Sequence, residues 1–177
     1  MNFVRNLFGR SQKEEAPAPS AEDLEEAKKV FFEYSCNGLH MAQNDVHFSR
    51  YHVPKELEAA WRDEFIAHWR GRLSTDDLTA HQKLRDADAV EAIPDLLAMV
   101  DQGDSYARLR TAEALWALSY QVKDRAVKQQ AKATAVRSAQ SILAGPIQVS
   151  ERHRIEIERL GGSSPEEYIA LFAKNVR

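Results

Sequence analysis

The stretch from Ala92 to Leu118, AIPDLLAMVDQGDSYARLRTAEALWAL, restricts the fold more than any other part of the chain. Ile93, Leu96, Leu97 and Val100 recur at intervals of three and four residues, which places them on one face of a helix. Asp101-Gln102-Gly103-Asp104 then interrupts the pattern. Gly103 permits a left-handed or tight-turn backbone, and Asp104 offers a carboxylate to cap the next helix. Leu109, Ala112, Leu115, Trp116 and Ser119 form a second helical face, with Ala112 and Ala114 small enough for close approach. Two such helices across so short a turn form an antiparallel hairpin with one shared seam.

The remaining chain repeats helical signals. Ser20 with Asp23 makes a variant capping box before Leu24, Ala27, Phe31 and Tyr34, and Val30 and Phe32 widen that face. Asn37-Gly38 ends this helix, or marks a weak point if Leu39, Met41 and Ala42 continue it. From Asn44 to Val53 no periodicity holds. Pro54 then sets the first turn of a helix whose Leu57, Trp61, Phe65 and Trp69 recur every four residues. Ser74 with Asp77 opens a helix containing Leu78, His81 and Leu84, and Asp88 with Glu91 caps the hairpin. Asp124 precedes a long helix with Val127, Ala131, Ala135, Ala139 and Ile142 inward, stopped by Gly145-Pro146. Ser150 begins a short helix with Ile155 and Leu160 as its apolar residues, halted by Gly161-Gly162. Ser164-Pro165-Glu166-Glu167 starts a closing helix that packs through Tyr168, Ile169, Phe172 and Val176.

No segment alternates apolar and polar residues for long, and Ile147-Gln148-Val149 is too short for an independent strand. The expectation is an all-α fold of about seven antiparallel helices, arranged as a compact helical bundle or an irregular, HEAT-like short solenoid. Residues 1–20 read as a short amphipathic N-terminal segment plus flexible linker, and residues 21–177 as a single all-α domain.

The hairpin resembles one unit of the HEAT and armadillo helical repeats. Ala92, Ile93, Pro94, Leu96 and Leu97 match the start of such a unit, and Asp101 and Asp104 match its acidic turn. Arg110, Ala112, Ala114, Leu115 and Leu118 match the second helix approximately, with the Arg-to-Leu spacing about one residue short and Trp116 where the family favours glycine. The resemblance covers residues 92–118 alone, and no second copy follows at a regular offset. It implies a superhelical binding surface.

Composition narrows the chemistry. With 44% hydrophobic and 29% charged residues the chain is of globular type. Its longest apolar runs are too short to span a bilayer. A net charge of -3 disfavours generic nucleic-acid binding. The single Cys36 excludes an internal disulfide and a thiolate zinc cluster, and its apolar helical setting predicts a buried, inert thiol. A reducing, cytoplasmic location fits, with peripheral membrane contact as an option for residues 1–10, where Phe3, Val4, Leu7 and Phe8 alternate with Arg5, Asn6 and Arg10. No Gly-rich phosphate loop or nucleophile elbow occurs, and no cofactor is called for.

Three constellations remain. His40, His47 and His52, with Asp45 between them, are metal ligands by type, although gaps of seven and five residues match no known site pattern. Glu64 and His68 stand one turn apart on the aromatic helix, without the second Glu-x-x-His that a di-metal bundle needs. Lys123, Arg125, Lys128, Lys132 and Arg137 face only Asp124 within their span, giving a local positive stripe. The aromatic ridge is core, or else the floor of an exposed groove. The functional expectation is a non-enzymatic helical adaptor for a protein partner, contacted through Trp61, Trp69, Trp116, Arg125, Lys128 and Lys132. Phe3, Leu7 and Phe8 would add a second contact, to a membrane or to the partner. The alternatives are a small metal-dependent enzyme using His40, His47 and His52, or nucleic-acid binding along the 123–137 helix.

Overall fold

The computed structural model describes residues 18–160 and 164–176. Among them are nine α-helices, two short 3-10 turns and no strand, so the chain is all-α. No helix among the described residues is long and apolar enough to cross a membrane. The N-terminal segment with Phe3, Leu7 and Phe8, and the Gly161-Gly162 stop, lie outside the described residues.

Helix α1 (Ala21–Glu33) begins with the expected capping box: Ser20 Oγ accepts from Asp23 N–H, and the Asp23 carboxylate accepts from Ser20 N–H. It ends at Glu33 with Tyr34 as its C-cap, ahead of the Asn37-Gly38 pair. After a turn in which Ser35 and Cys36 take positive φ (54° and 56°), Asn37 Oδ1 accepts from Leu39 and His40 N–H and starts α2, Gly38–Gln43. Cys36 thus sits in a left-handed turn rather than in the helix expected for it. A 3-10 turn (Phe48–Tyr51) leads to α3 (Lys55–Arg70), for which Pro54 is the N-cap.

Two starts differ from expectation. Helix α4 spans Thr79–Asp86 with no side-chain cap. Ser74 and Asp77 instead close tight turns, accepting from Asp76 and Thr79 N–H. Asp88 takes a positive φ of 51° and caps nothing. A 3-10 turn (Val90–Ala92) runs directly into α5, Ile93–Met99, with Pro94 in its first turn.

Helices α5 and α6 (Ser105–Ser119) meet across the expected turn. Gly103 adopts φ +77°, and a Cβ there would lie 2.9 Å from both Thr75 Cβ and Ala107 Cβ, so glycine is required twice over. Helix α6 is the centre of the molecule. Tyr106, Ala107, Leu109, Thr111, Ala112, Ala114, Leu115 and Leu118 are all buried, which covers its whole circumference rather than one stripe. Helices α4, α5, α7 and α9 pack around it, α7 most extensively.

Helix α7 (Arg125–Ala144) is capped by Asp124, whose Oδ1 accepts from Ala126 and Val127 N–H. Its inward face carries Ala131, Thr134, Ala135, Ser138 and Ala139, small residues that let the two backbones approach closely, while Val127, expected inward, is 37% exposed. Helix α8 (Glu151–Arg159) turns a different face inward than expected. His153 and Ile157 are buried, whereas Ile155 and Leu160 are exposed at 43% and 59%. Helix α9 (Pro165–Ala173) starts at Ser164 as the sequence indicates, Ser164 Oγ accepting from Glu167 N–H, and buries Ile169 and Ala173.

The core falls into two clusters. The larger runs from Phe65 and Ile66 through α4–α7 to Val176. The smaller joins Ala27, Phe31, Met41, Tyr51 and Trp61. Phe32 and Cys36 pack against both.

Candidate functional site

The aromatic ridge of α3 divides between these environments. Trp61, offered by the sequence as a partner contact, is 6% exposed in the smaller core, with its ring 6.1 Å from Phe31, and is not available at the surface. Phe65 is buried one turn on. Trp69, a further turn toward the end of the helix, is only half-buried.

Trp69 helps to line a groove of about 600 Å³ between α1, α3 and the side of α4. Phe32 and Phe65 form the apolar floor, with ring centroids 5.3 Å apart, and Trp69 meets Phe65 edge-on at 6.1 Å. The rim mixes charges: Lys29 and Lys83 against Glu33 and Glu64, with His68 over the Trp69 edge at 5.1 Å. Lys28 Nζ reaches Glu64 at 2.6 Å and ties α1 to α3 beside the groove. Lys83 Nζ donates to the Glu33 carbonyl and ties α4 to α1. The floor is therefore fixed by packing and the rim by cross-helix bonds, so an incoming apolar side chain meets a preformed site. Glu64 and His68, one helical turn apart and considered as possible ligands, serve here as rim residues.

A second cleft, about 660 Å³, opens on the other side of α1 between α2, the Phe48–Tyr51 turn and α3. It brings Asp45 and His47 to one mouth over Phe31, Met41 and Phe48. His40 and His52 do not join them. His40 packs edge-on against Tyr34 at 5.5 Å, and His52 ends the 3-10 turn with φ 49°. Among the described residues no three histidine, cysteine, aspartate or glutamate side chains come together to hold a metal ion. Cys36 lines the cleft, and burial pushes its thiol up to about 12 against the weaker pull of Arg62 and Lys83, so it carries almost no thiolate at neutral pH.

The third region is the corner of α6 and α7. Trp116 is half-buried and Tyr120 is 54% exposed, their rings edge-on at 5.5 Å. Lys132 Nζ stands 4.6 Å from the Trp116 ring centre and 5.6 Å from that of Tyr120, while Lys128 Nζ lies 6.0 Å from Tyr120. Trp116, Lys128 and Lys132 lie in one patch, with Arg125 exposed on the same helix face.

One polar centre shows in the sequence only through a helix cap. Asp104 Oδ1 caps α6 through Ala107 N–H at 2.9 Å. Its Oδ2 accepts from Ser150 N–H at 2.7 Å and lies 2.8 Å from His153 Nδ1. Burial would raise the Asp104 carboxyl, but these hydrogen bonds outweigh it and hold the group below the usual carboxylate value. Ser105 and Gln148 exchange two bonds beside it, at 2.8 and 3.0 Å. With its side chain 3% exposed, His153 is sealed from any substrate, and the centre joins the starts of α6 and α8. Its one legible signal is Asp104 as a cap; the partners lie 46 and 49 residues away. Comparison with protein-family models, with characterised proteins and with solved structures finds no match for this chain.

Proposed function

We propose that this chain is a non-enzymatic helical adaptor that recognises a protein partner through the groove lined by Trp69. The observation that carries this reading is a half-buried tryptophan beside two phenylalanines in a preformed groove of about 600 Å³, where an apolar anchor gains the most from burial. The rim carries two cations and two carboxylates, which favours a partner segment bearing both signs around an apolar or aromatic anchor. A polyanion or a lipid surface would meet the Glu33 carboxylate, while Glu64 is already paired with Lys28. An amphipathic helix laid between α1 and α3 has this chemistry. We further read α5 and α6 as one irregular unit of HEAT type, with the helices around them serving as a scaffold for that surface; the tight Gly103 turn supports this.

The test is a quantitative pulldown with the intact chain, with residues 1–20 removed, and with Trp69→Ala. Proteins captured by the intact chain and lost at least tenfold with Trp69→Ala, at unchanged circular dichroism, support the reading. Equal recovery by Trp69→Ala removes the groove from recognition. Loss on removing residues 1–20 alone assigns recognition to the N-terminal segment instead.

A further inference from the structure

We propose that the Trp116–Lys132 corner is a second docking face, specific for an acidic helical segment of a protein partner. It is independent of the Trp69 groove. The first observation is the local charge pattern. Lys123, Arg125, Lys128, Lys132 and Arg137 fall within fifteen residues that hold one carboxylate, Asp124, and none of the five enters an ion pair among the described residues. Asp124, the one carboxylate in that span, is committed to the backbone N–H groups of Ala126 and Val127. In a chain of net charge -3, Arg125, Lys128 and Lys132 thus form a cationic stripe on one face of α7, with the Asp124 carboxylate at its start.

The second observation is how those cations are held. Arg125, Lys128 and Lys132 follow one another at three and four residues on α7, the spacing of one helix face. Lys132 is stationed over Trp116 and Lys128 beside Tyr120, so their side chains are partly ordered before any partner arrives. That lowers the entropy lost when the ammonium groups bind, and leaves their outward N–H bonds free to donate. A partner helix with glutamates at the same three- and four-residue intervals presents its carboxylates in register.

The same geometry disfavours the other anions. Single-stranded nucleic acid needs open ring faces for base stacking, and here Lys132 stands 4.6 Å from the Trp116 ring centre. An anionic membrane gains from apolar insertion, yet beyond Tyr120 the exposed apolar contribution of this corner is Val127 at 37%.

The experiment titrates the full chain into a fluorescently labelled Glu/Ala helical peptide and follows anisotropy. A Gln/Ala peptide and a single-stranded oligonucleotide of equal charge run alongside. We expect the Glu peptide to bind, to weaken as salt rises, and to lose at least tenfold in affinity with Lys132→Glu, while Arg159→Glu, the same charge change on exposed α8, and Trp69→Ala both retain binding. Equal binding by Lys132→Glu, or equal binding of the Gln peptide, overturns the proposal. Tighter binding of the oligonucleotide reassigns the face to nucleic acid and overturns it too. So does self-association in sedimentation that Lys132→Glu abolishes, since a second copy would then be what covers the corner. Retained peptide binding by Trp69→Ala keeps this outcome separable from the fate of the groove.

Discussion

Asp104 is the residue on which most depends. One carboxylate caps α6, holds the start of α8 through Ser150 N–H and pairs with His153, so replacing it removes a cap and strands a buried imidazole together. Asp104→Ala is expected to lower stability by roughly 3 kcal/mol, a cap plus charge-assisted buried hydrogen bonds, read as a shift in the urea midpoint at unchanged slope. His81 makes a second prediction. Thr111 Oγ donates to the Ala107 carbonyl at 2.9 Å and accepts from His81 Nε2–H at 3.1 Å, leaving His81 Nδ1 buried without a partner. Burial first, then the charge of Arg110, lowers the His81 pKa from 6.5 to about 4, with Asp77 pulling weakly the other way. The unfolded chain therefore binds the proton that the folded one refuses, and stability falls as pH drops from 6.5 toward about 4. Asp104, with a depressed pKa, loses its contribution only below the unfolded value of 3.8, so the two windows separate. Denaturant titrations at stepped pH should show His81→Gln flattening the upper window and leaving the lower one in place.

At the scale of elements, local chemistry was legible and long-range partnership was not. Ser20, Asp104, Asp124, Ser150 and Ser164 all cap helices where their spacing indicates, because a cap needs only its own next three residues. Ser74 and Asp77 show the same signature and cap no helix; short Ser and Asp side chains close turns equally well. The face of α8 failed for a different reason. Apolar counting favours Ile155, but the buried face is set by His153, whose Asp104 partner is supplied by another helix. One helix absent from the expected count is α2, which Asn37 starts where the sequence offered a stop or a weak point. The ridge of α3 was found complete, yet its division into buried Trp61 and half-buried Trp69 depends on where α1 and α4 lie, which no spacing on α3 encodes.

For the whole molecule, the hairpin that dominates the sequence also supplies the central helix, wrapped on all sides by α4, α5, α7 and α9. Most of that helix is scaffold, and the proposed recognition surfaces lie at its margins: the groove on α1 and α3, and the corner where Trp116 of α6 meets the cations of α7. Trp69 and Trp116 were named together with Trp61, because aromatic residues dominate interfaces as well as cores, but their neighbours Phe32, His68 and Tyr120 needed the fold to bring them close. The most direct measurement of adaptor function is site-specific photo-crosslinking in cells, with a benzophenone side chain replacing exposed His68 at the groove rim. The account predicts a discrete protein adduct that disappears when Trp69→Ala is added. No adduct at this position, or an adduct of unchanged yield with Trp69→Ala, would contradict it.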